Sequence, residues 1–261
     1  VILEKIIARK RQELAERMER VPLAELERRL RDAPPTRDFA RAISGEPGHP
    51  VRLIAEFKRA SPSKGPIRTD LDPAEVARGY EAAGASAVSV LTDRTFFAGT
   101  LRDLERVRAR CSLPILRKDF TLSVYDLYEA RVAGADAVLL IAAVLSEAEI
   151  RQLIGSAGLL GLAAVVEVHD EAELCRALAA GAKIVGINNR NLSDFSVDIE
   201  TTFRLRPMVP DGVTIVSESG ISKRATVLRL QEARVDAVLV GEYLMRRPSP
   251  ADAVRELLGT C

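Results

Sequence analysis

A closed (β/α)8 barrel preceded by an N-terminal helical extension is the fold class that the 261-residue sequence predicts, on three observations. First, EAAGASAVSVLT (81–92), RVAGADAVLLIA (131–142) and ALAAGAKIVGIN (177–188) repeat one pattern, and LQEARVDAVLVG (230–241) keeps it with Arg234 in the glycine's place. Each copy reads as a helix end, a glycine able to take the left-handed C-cap conformation, and a short apolar strand. Second, the glycines at 84, 134 and 181 stand 50 and 47 residues apart, with further apolar runs between them, PILRKDF (114–120) and GLAAVVEV (161–168). VRLIAEFK (51–58) precedes the first copy and VTIVSESG (213–220) the fourth, which makes eight strands. Third, amphipathic helical patterns separate them, and eight βα units in about 210 residues suit a parallel sheet closed on itself. A doubly wound open sheet is the alternative. It predicts fewer strands and usually a glycine-rich first turn, and neither GxGxxG nor GxxxxGK[ST] occurs.

Taken in order, the chain opens with helical segments to about residue 45, interrupted around Val21-Pro22 and at Asp32-Ala33-Pro34-Pro35, where proline breaks the pattern. The barrel helices then follow as DPAEVARGYEAAG, LRDLERVRAR, VYDLYEARVAG, SEAEIRQLIGSAG, DEAELCRALAAG and KRATVLRLQEA, with a short helical turn after Gly241. The expected organisation is one domain over residues 1–261, with 1–45 as an extension packed on the barrel.

Hydrophobic residues at 47%, charged residues at 29% and a formal net charge of +1 describe a globular protein without a field that would recommend nucleic acid or an anionic membrane as partner. The stretch LEKIIARKRQELAERMERVPLAELERRLR looks basic but interleaves Glu throughout, so it reads as a solvated, salt-bridged helix face rather than a signal peptide. No apolar run approaches the roughly 20 residues of a membrane span. Cys111, Cys175 and Cys261 are odd in number and lack metal-type spacing, and His49 and His169 are the only histidines. Neither a disulfide framework nor a metal site is expected, and the cytoplasm is the natural compartment. His169, beside Asp170, reads as a structural hydrogen-bonding group. The glycosylation pattern at 191–193 is idle without secretion.

At the C-terminal ends of barrel strands, polar residues signal chemistry. Period-two alternation sends Glu56, Lys58, Lys118, Glu167, Asn188 and Glu218 inward, above a smaller or apolar layer of Ile54, Leu116, Val165, Gly186 and Val216. A salt-bridge network that merely closes the barrel is the competing reading. Burying several ions costs several kcal/mol each before pairing, whereas an apolar layer would be at least as stable, so acid/base function is favoured. Only seven of the 38 cationic side chains are Lys, and Lys58, Lys64 and Lys118 are three of them. Unlike Arg, a partly buried Lys can have its pKa pulled toward neutrality and donate a proton. Gly220 and Gly241, in the loops after strands seven and eight, mark the usual phosphate site of this fold and favour a phosphorylated substrate. SPSKG (61–65) reads as a mobile first βα loop over that substrate, with Ser61 and Ser63 as contacts.

The segments IAEFKRASPSKG (54–65), VSVLTDRTFFAGTL (88–101), LPILRKDF (113–120), VVEVHDEAEL (165–174), GINNRNL (186–192), VSESGI (216–221) and GEYLM (241–245) resemble, in order, the indole-3-glycerol phosphate synthase family. PTRDFARAI (35–43) resembles its N-terminal extension, and Tyr243 stands where many relatives carry a smaller residue. The resemblance implies a TIM barrel, no cofactor, and a substrate, 1-(2-carboxyphenylamino)-1-deoxyribulose 5-phosphate, cyclised with loss of carbon dioxide and water. Carried over by position, Lys118 matches the general acid at the substrate carbonyl, and Glu167 an acid/base or electrostatic partner of the ring intermediate. Glu56 and Lys58 match the pair of the later proton transfers, with Lys58 also near phosphate or carboxylate. Asn188, Glu218 and Ser219 match positioning residues, Arg190 a substrate contact, and Gly220, Gly241 and Glu242 the phosphate loops. Phe97, Leu91 and Leu139 are candidates for the apolar wall around the substrate ring; for Phe96, packing is an equal alternative. A small phosphorylated molecule is the expected partner, with neither nucleic acid nor membrane, and the chain is expected to be a monomer or weak homodimer. Two other readings stay open: a Schiff-base aldolase using Lys118 or Lys58 as nucleophile, and a non-catalytic sugar-phosphate-binding barrel or a scaffold acting through the N-terminal helices.

Overall fold

The computed structural model describes residues 2–45, 49–192 and 194–260. Cys261 and Ser193 of the glycosylation pattern lie outside the described residues. Eight strands, β1 (Arg52–Phe57), β2 (Ala87–Leu91), β3 (Ile115–Lys118), β4 (Ala137–Ile141), β5 (Ala163–Val168), β6 (Ile184–Asn188), β7 (Thr214–Glu218) and β8 (Ala237–Val240), pair in parallel and close into a barrel, with β1 bonded to both β2 and β8. The open-sheet alternative is excluded by that closure. The eight strands correspond to the eight apolar runs of the sequence.

Local chemistry starts the helices where the sequence changes period. Asp72 caps Pro73–Ala82 by accepting from the Ala74 N–H at 2.8 Å, with Pro73 in the first turn, and Thr100/Asp103 and Ser146/Glu149 form reciprocal capping boxes. At the repeated αβ junctions Gly84, Gly134 and Gly181 take φ of 95°, 94° and 94°, the left-handed turn that the pattern calls for. The fourth copy makes the same turn without glycine: Arg234 has φ 59°.

Alternation divides the apolar side chains into two cores. Leu53, Ala55 and Phe57 face outward with Val88, Val90, Leu140, Val166 and Ile187 to meet the helices. Ile54, Leu116, Val165 and Val216 fill the barrel interior with Ala87, Leu139 and Leu239. Residues Phe39 and Ile43, also fully buried there, come from α3 (Phe39–Ile43), which packs against β1 and β2. Asp136 and Asp236, just before β4 and β8, accept from the backbone N–H groups of Arg37 (2.7 Å) and Gly45 (3.4 Å), which fixes α3 across the N-terminal end of the barrel.

The other helices of the extension are α1 (Ile2–Arg20), which lies at the C-terminal ends of the strands, and α2 (Leu23–Leu30), which packs against the helix Val124–Val132; the break between them falls at Val21-Pro22 as expected. Part of the expected solvated face of α1 is instead a buried ionic seam. Lys10 is only 5% exposed and its Nζ lies 2.7 Å from Asp119 Oδ1 and 3.4 Å from Asp93 Oδ2. Arg17 pairs with Asp126 and Glu129 of the helix Val124–Val132. Sequence spacing could not distinguish these charges from the outward ones, because their partners lie about 80 to 110 residues away.

Candidate active site

Strand geometry carries the polar layer to the C-terminal mouth, and every site residue named from the sequence except Phe96 lines one cavity there, of about 530 Å³. Glu56 and Lys58 leave β1, Lys118 ends β3, Glu167 lies on β5, Asn188 ends β6 and Glu218 ends β7. Two ionic groups result. Lys58 Nζ is 2.7 Å from Glu56 Oε1, while Ser89 of β2 donates to Glu56 Oε2 at 3.2 Å. Lys118 Nζ stands 2.8 Å from Glu167 Oε2 and 3.0 Å from Glu218 Oε2.

Two glycines make room for these carboxylates. A Cβ on Gly186 would lie 2.4 Å from Glu218 Oε1, and one on Gly241 would lie 2.4 Å from Glu56 Oε1. In the loop after β7, Ser219 (φ 68°) and Gly220 (φ 79°) are both left-handed, so the chain turns sharply at the cavity edge. A Cβ on Gly220 would meet Val197 at 2.7 Å. Left-handed backbone at a non-glycine residue costs about 1–2 kcal/mol, a strain that recurs at functional turns. Asn188 Oδ1 accepts from the Arg190 N–H at 3.0 Å, and the Arg190 guanidinium faces Glu242 at 3.8 Å.

The electrostatics correct one expectation. Burial pulls the Lys118 amine toward neutrality, but the charges of Glu167, Glu218 and Glu56 outweigh it and hold the pKa above the ordinary lysine range. Lys118 is therefore an ammonium, and its proton is tightly held. Burial raises Glu167 too, yet Lys118 and His169 win and keep its carboxyl well below the usual range. Glu218 goes the other way: burial and the Glu167 charge exceed the pull of Lys118 and push it up to about 7. One cation thus sits between an ionised carboxylate and one that protonates near neutrality, an arrangement suited to moving protons.

The sequence marks His169 only as a structural hydrogen-bonding group, and several other residues at the site escape it altogether. His169 continues the inward row Val165–Glu167–His169 and touches Glu167 and Glu173, whereas its neighbour Asp170 caps the helix Glu171–Ala179. The period-two rule could have found it, and Ser89 likewise. Ile2, Leu3 and Ile6 of α1 also line the cavity, as do Phe120 and Arg246. Nothing local in the sequence marks α1 as a wall of the cavity; its docking is tertiary. Phe97 lines the cavity and stacks at a tilt on Phe120, with ring centroids 6.4 Å apart, while Phe96 does not line it. The first βα loop includes a small antiparallel hairpin, Ala60–Ser61 with Gly65–Pro66, and Arg59 before it forks onto Asp103 at 2.6 and 2.9 Å.

Fold and site together define a class: a (β/α)8-barrel with a ring of ionisable side chains at its C-terminal mouth, equipped for general acid/base chemistry. Comparison with known proteins gives the particular family. The family model for indole-3-glycerol phosphate synthase matches residues 3–257, and the chain belongs to that family. The enzyme of that name from Desulfotalea psychrophila is 51% identical over 257 residues, covering 98% of each chain. That from a Polaromonas species is 50% identical over 260 residues, 99% of this chain and 98% of its own. Among solved structures, a mutant tryptophan synthase α-subunit from Pyrococcus furiosus superposes with a TM-score of 0.61 at 16% identity, over 80% of this chain and 98% of that one. Thiamine phosphate pyrophosphorylase from the same organism gives 0.60 at 18% identity, over 79% and 93%. These two likenesses concern the fold.

Proposed function

We propose that the protein, as an indole-3-glycerol phosphate synthase, closes the indole ring with Lys118 as general acid and Glu167, Glu56 and Lys58 as its acid/base partners. The substrate is 1-(2-carboxyphenylamino)-1-deoxyribulose 5-phosphate. The aromatic carbon that bears the carboxylate attacks the ketone, and Lys118 gives its proton to the oxygen on which negative charge develops. Loss of carbon dioxide returns the bonding pair to the ring and restores aromaticity. Elimination of the new hydroxyl as water then needs one group to take a proton and another to give one, which the pair Glu56 and Lys58, 2.7 Å apart, can do.

The observation that carries this reading is the Lys118 ammonium held between Glu167 and Glu218 on the cavity floor. A Schiff-base nucleophile needs a neutral amine, and the raised pKa of Lys118 argues against that alternative. The loops at Gly220 and Gly241 would receive the phosphate, with Ser219 and Glu242 beside them. Phe97 and Leu139 would wall the anthranilate ring, and Ser61, Ser63 and Arg190 would contact the substrate from the rim. Asn188 and Glu218 position the reacting end.

A small phosphorylated molecule is the partner that this chemistry requires. Among the described residues no helix is long and apolar enough to cross a membrane. The unpaired thiols Cys111 and Cys175 fit a reducing cytoplasm, which we infer as the compartment. The exposed large apolar residues among those described are few, Met18, Leu23, Leu159, Val197, Met208 and Leu228, and we infer a monomer or weak homodimer.

Incubation with the carboxyphenylamino sugar phosphate should raise indole fluorescence. Lys118→Met should abolish turnover with substrate binding retained; full turnover by that variant would remove Lys118 as the acid.

A further inference from the structure

Behind Glu167, on the side away from Lys118, stands His169. Its Nε2 lies 3.3 Å from Glu167 Oε1, an ion-pair contact without hydrogen-bond alignment, and its Nδ1 lies 3.0 Å from Glu173 Oε2. The His169 backbone N–H also donates to Glu173 Oε2, at 2.8 Å, which ties the ring to the first turn of the helix Glu171–Ala179. The side chain is only 13% exposed. A neutral imidazole carries one N–H and one lone pair, so it would turn a lone pair toward one of these carboxylates. Only the imidazolium presents an N–H, and a positive charge, on the sides of both.

We propose that His169 is a positioning residue: a standing positive charge that keeps Glu167 ionised and oriented and weakens its hold on the Lys118 proton. The inference rests on the reading of Lys118 as the acid. Burial works against the charged ring, but Glu167 and Glu173 outweigh it and raise its pKa to about 10. Asp170 and Arg190 line a second cavity with His169 and Glu173, and Lys118 holds the other oxygen of Glu167 from β3. Arg190, Lys118 and the nearby helix N-terminus disfavour a cation at His169, whereas the three carboxylates favour it.

The consequence concerns the first proton transfer. Glu167 and Glu218 both stabilise the Lys118 ammonium, which makes it a reluctant acid. A cation on the far oxygen of Glu167 draws part of that negative charge away and eases donation to the substrate. Once Lys118 has given up its proton, His169 is also what keeps Glu167 from being a carboxylate without a cation.

Two measurements test this. Because His49 is the only other histidine, nitrogen-15 NMR of histidine-labelled protein, assigned with His49→Gln, reads the ring directly. Both ring nitrogens of His169 should be protonated at pH 8, and a neutral ring there would overturn the proposal. His169→Gln should lower kcat about tenfold or more with KM within about twofold, the pattern of an interaction felt in the transition state rather than in binding. A kcat within about twofold of wild type would equally overturn it. Should His169→Gln fail to fold, Glu173→Gln serves in its place: it should lower kcat in the same sense, with the same KM criterion, and an unchanged kcat counts against the proposal. Turnover by Lys118→Met would sink the assignment of the acid, whereas a neutral His169 would leave that assignment standing, so the two failures are distinguishable.

Discussion

Lys10 Nζ lies 2.7 Å from Asp119 Oδ1, and Asp119 directly follows Lys118. The N-terminal extension is thereby tied by a buried charge to the strand end that delivers the proposed general acid. Asp93, which caps the short helix carrying Phe97, shares the same ammonium at 3.4 Å. Burial opposes the charge on Asp119, but Lys10 and Arg117 overcome it and hold the carboxyl well below its usual range.

Lys10→Met should therefore destabilise the protein by about 3–5 kcal/mol, since removing one partner of a buried pair leaves the other charge uncompensated. Urea unfolding monitored by circular dichroism gives the number. A loss under about 1 kcal/mol would mean that Arg117, Thr92 and the Phe120 N–H satisfy Asp119 without Lys10.

Gly241→Ala should act on catalysis more than on folding. The added Cβ would lie 2.4 Å from Glu56 Oε1 and 3.0 Å from Glu56 Cβ, so the carboxylate must leave its contacts with Lys58 and Ser89. A displacement of about 1 Å in a reacting group can cost about 100-fold in rate, and overpacking costs about 1–3 kcal/mol of stability. Steady-state kinetics beside a thermal melt separates the two. Wild-type kcat in Gly241→Ala would show that Glu56 does not need its observed position.

What could be read from the chain follows the range of each interaction. The barrel was legible because the αβ junction is written locally four times, as helix end, turn and apolar run, with further apolar runs between the copies that bring the count to eight strands. Glu56, Lys118, Glu167 and Glu218 were legible because alternation fixes which face each occupies. Lys10 was not, since its immediate neighbours are those of an exposed helix face and its acidic partners lie far along the chain. Nor was the raised pKa of Lys118, which is a balance between burial and three carboxylates on three other strands. His169 lay on a legible row, but its meaning depends on Glu173, one helical turn further on.

Arg234 offers a test of the repeat itself. It holds φ 59° where the three other copies place glycine, and its side chain is exposed. Left-handed backbone costs a residue with a Cβ about 1–2 kcal/mol, partly offset by the greater freedom of glycine in the unfolded chain. Arg234→Gly should thus stabilise the protein by about 0.5–1 kcal/mol, read as a higher urea midpoint at unchanged slope. A lower midpoint would mean that the Arg234 side chain contributes more than the turn costs.

Glu218 makes stability depend on pH in the sense opposite to an ordinary paired carboxylate. In the unfolded chain it titrates near 4.5; in the folded protein burial first, then the Glu167 charge, raise it to about 7 against the pull of Lys118. Between those values the folded state keeps a proton that the unfolded state has lost. The contribution is complete below pH 4.5 and disappears as pH rises through 7, a change of about 3 kcal/mol. Lys118 is charged in both states throughout this window because its pKa is raised, whereas Glu167, whose pKa is lowered, adds a small opposite slope only near pH 4.5, where the unfolded carboxyl is still partly protonated. Chemical unfolding of wild type and Glu218→Gln from pH 4.5 to 7.5 isolates the effect, since other groups cancel in the difference. The variant should gain about 3 kcal/mol on wild type across that range, and a flat difference would show that Glu218 is ionised throughout.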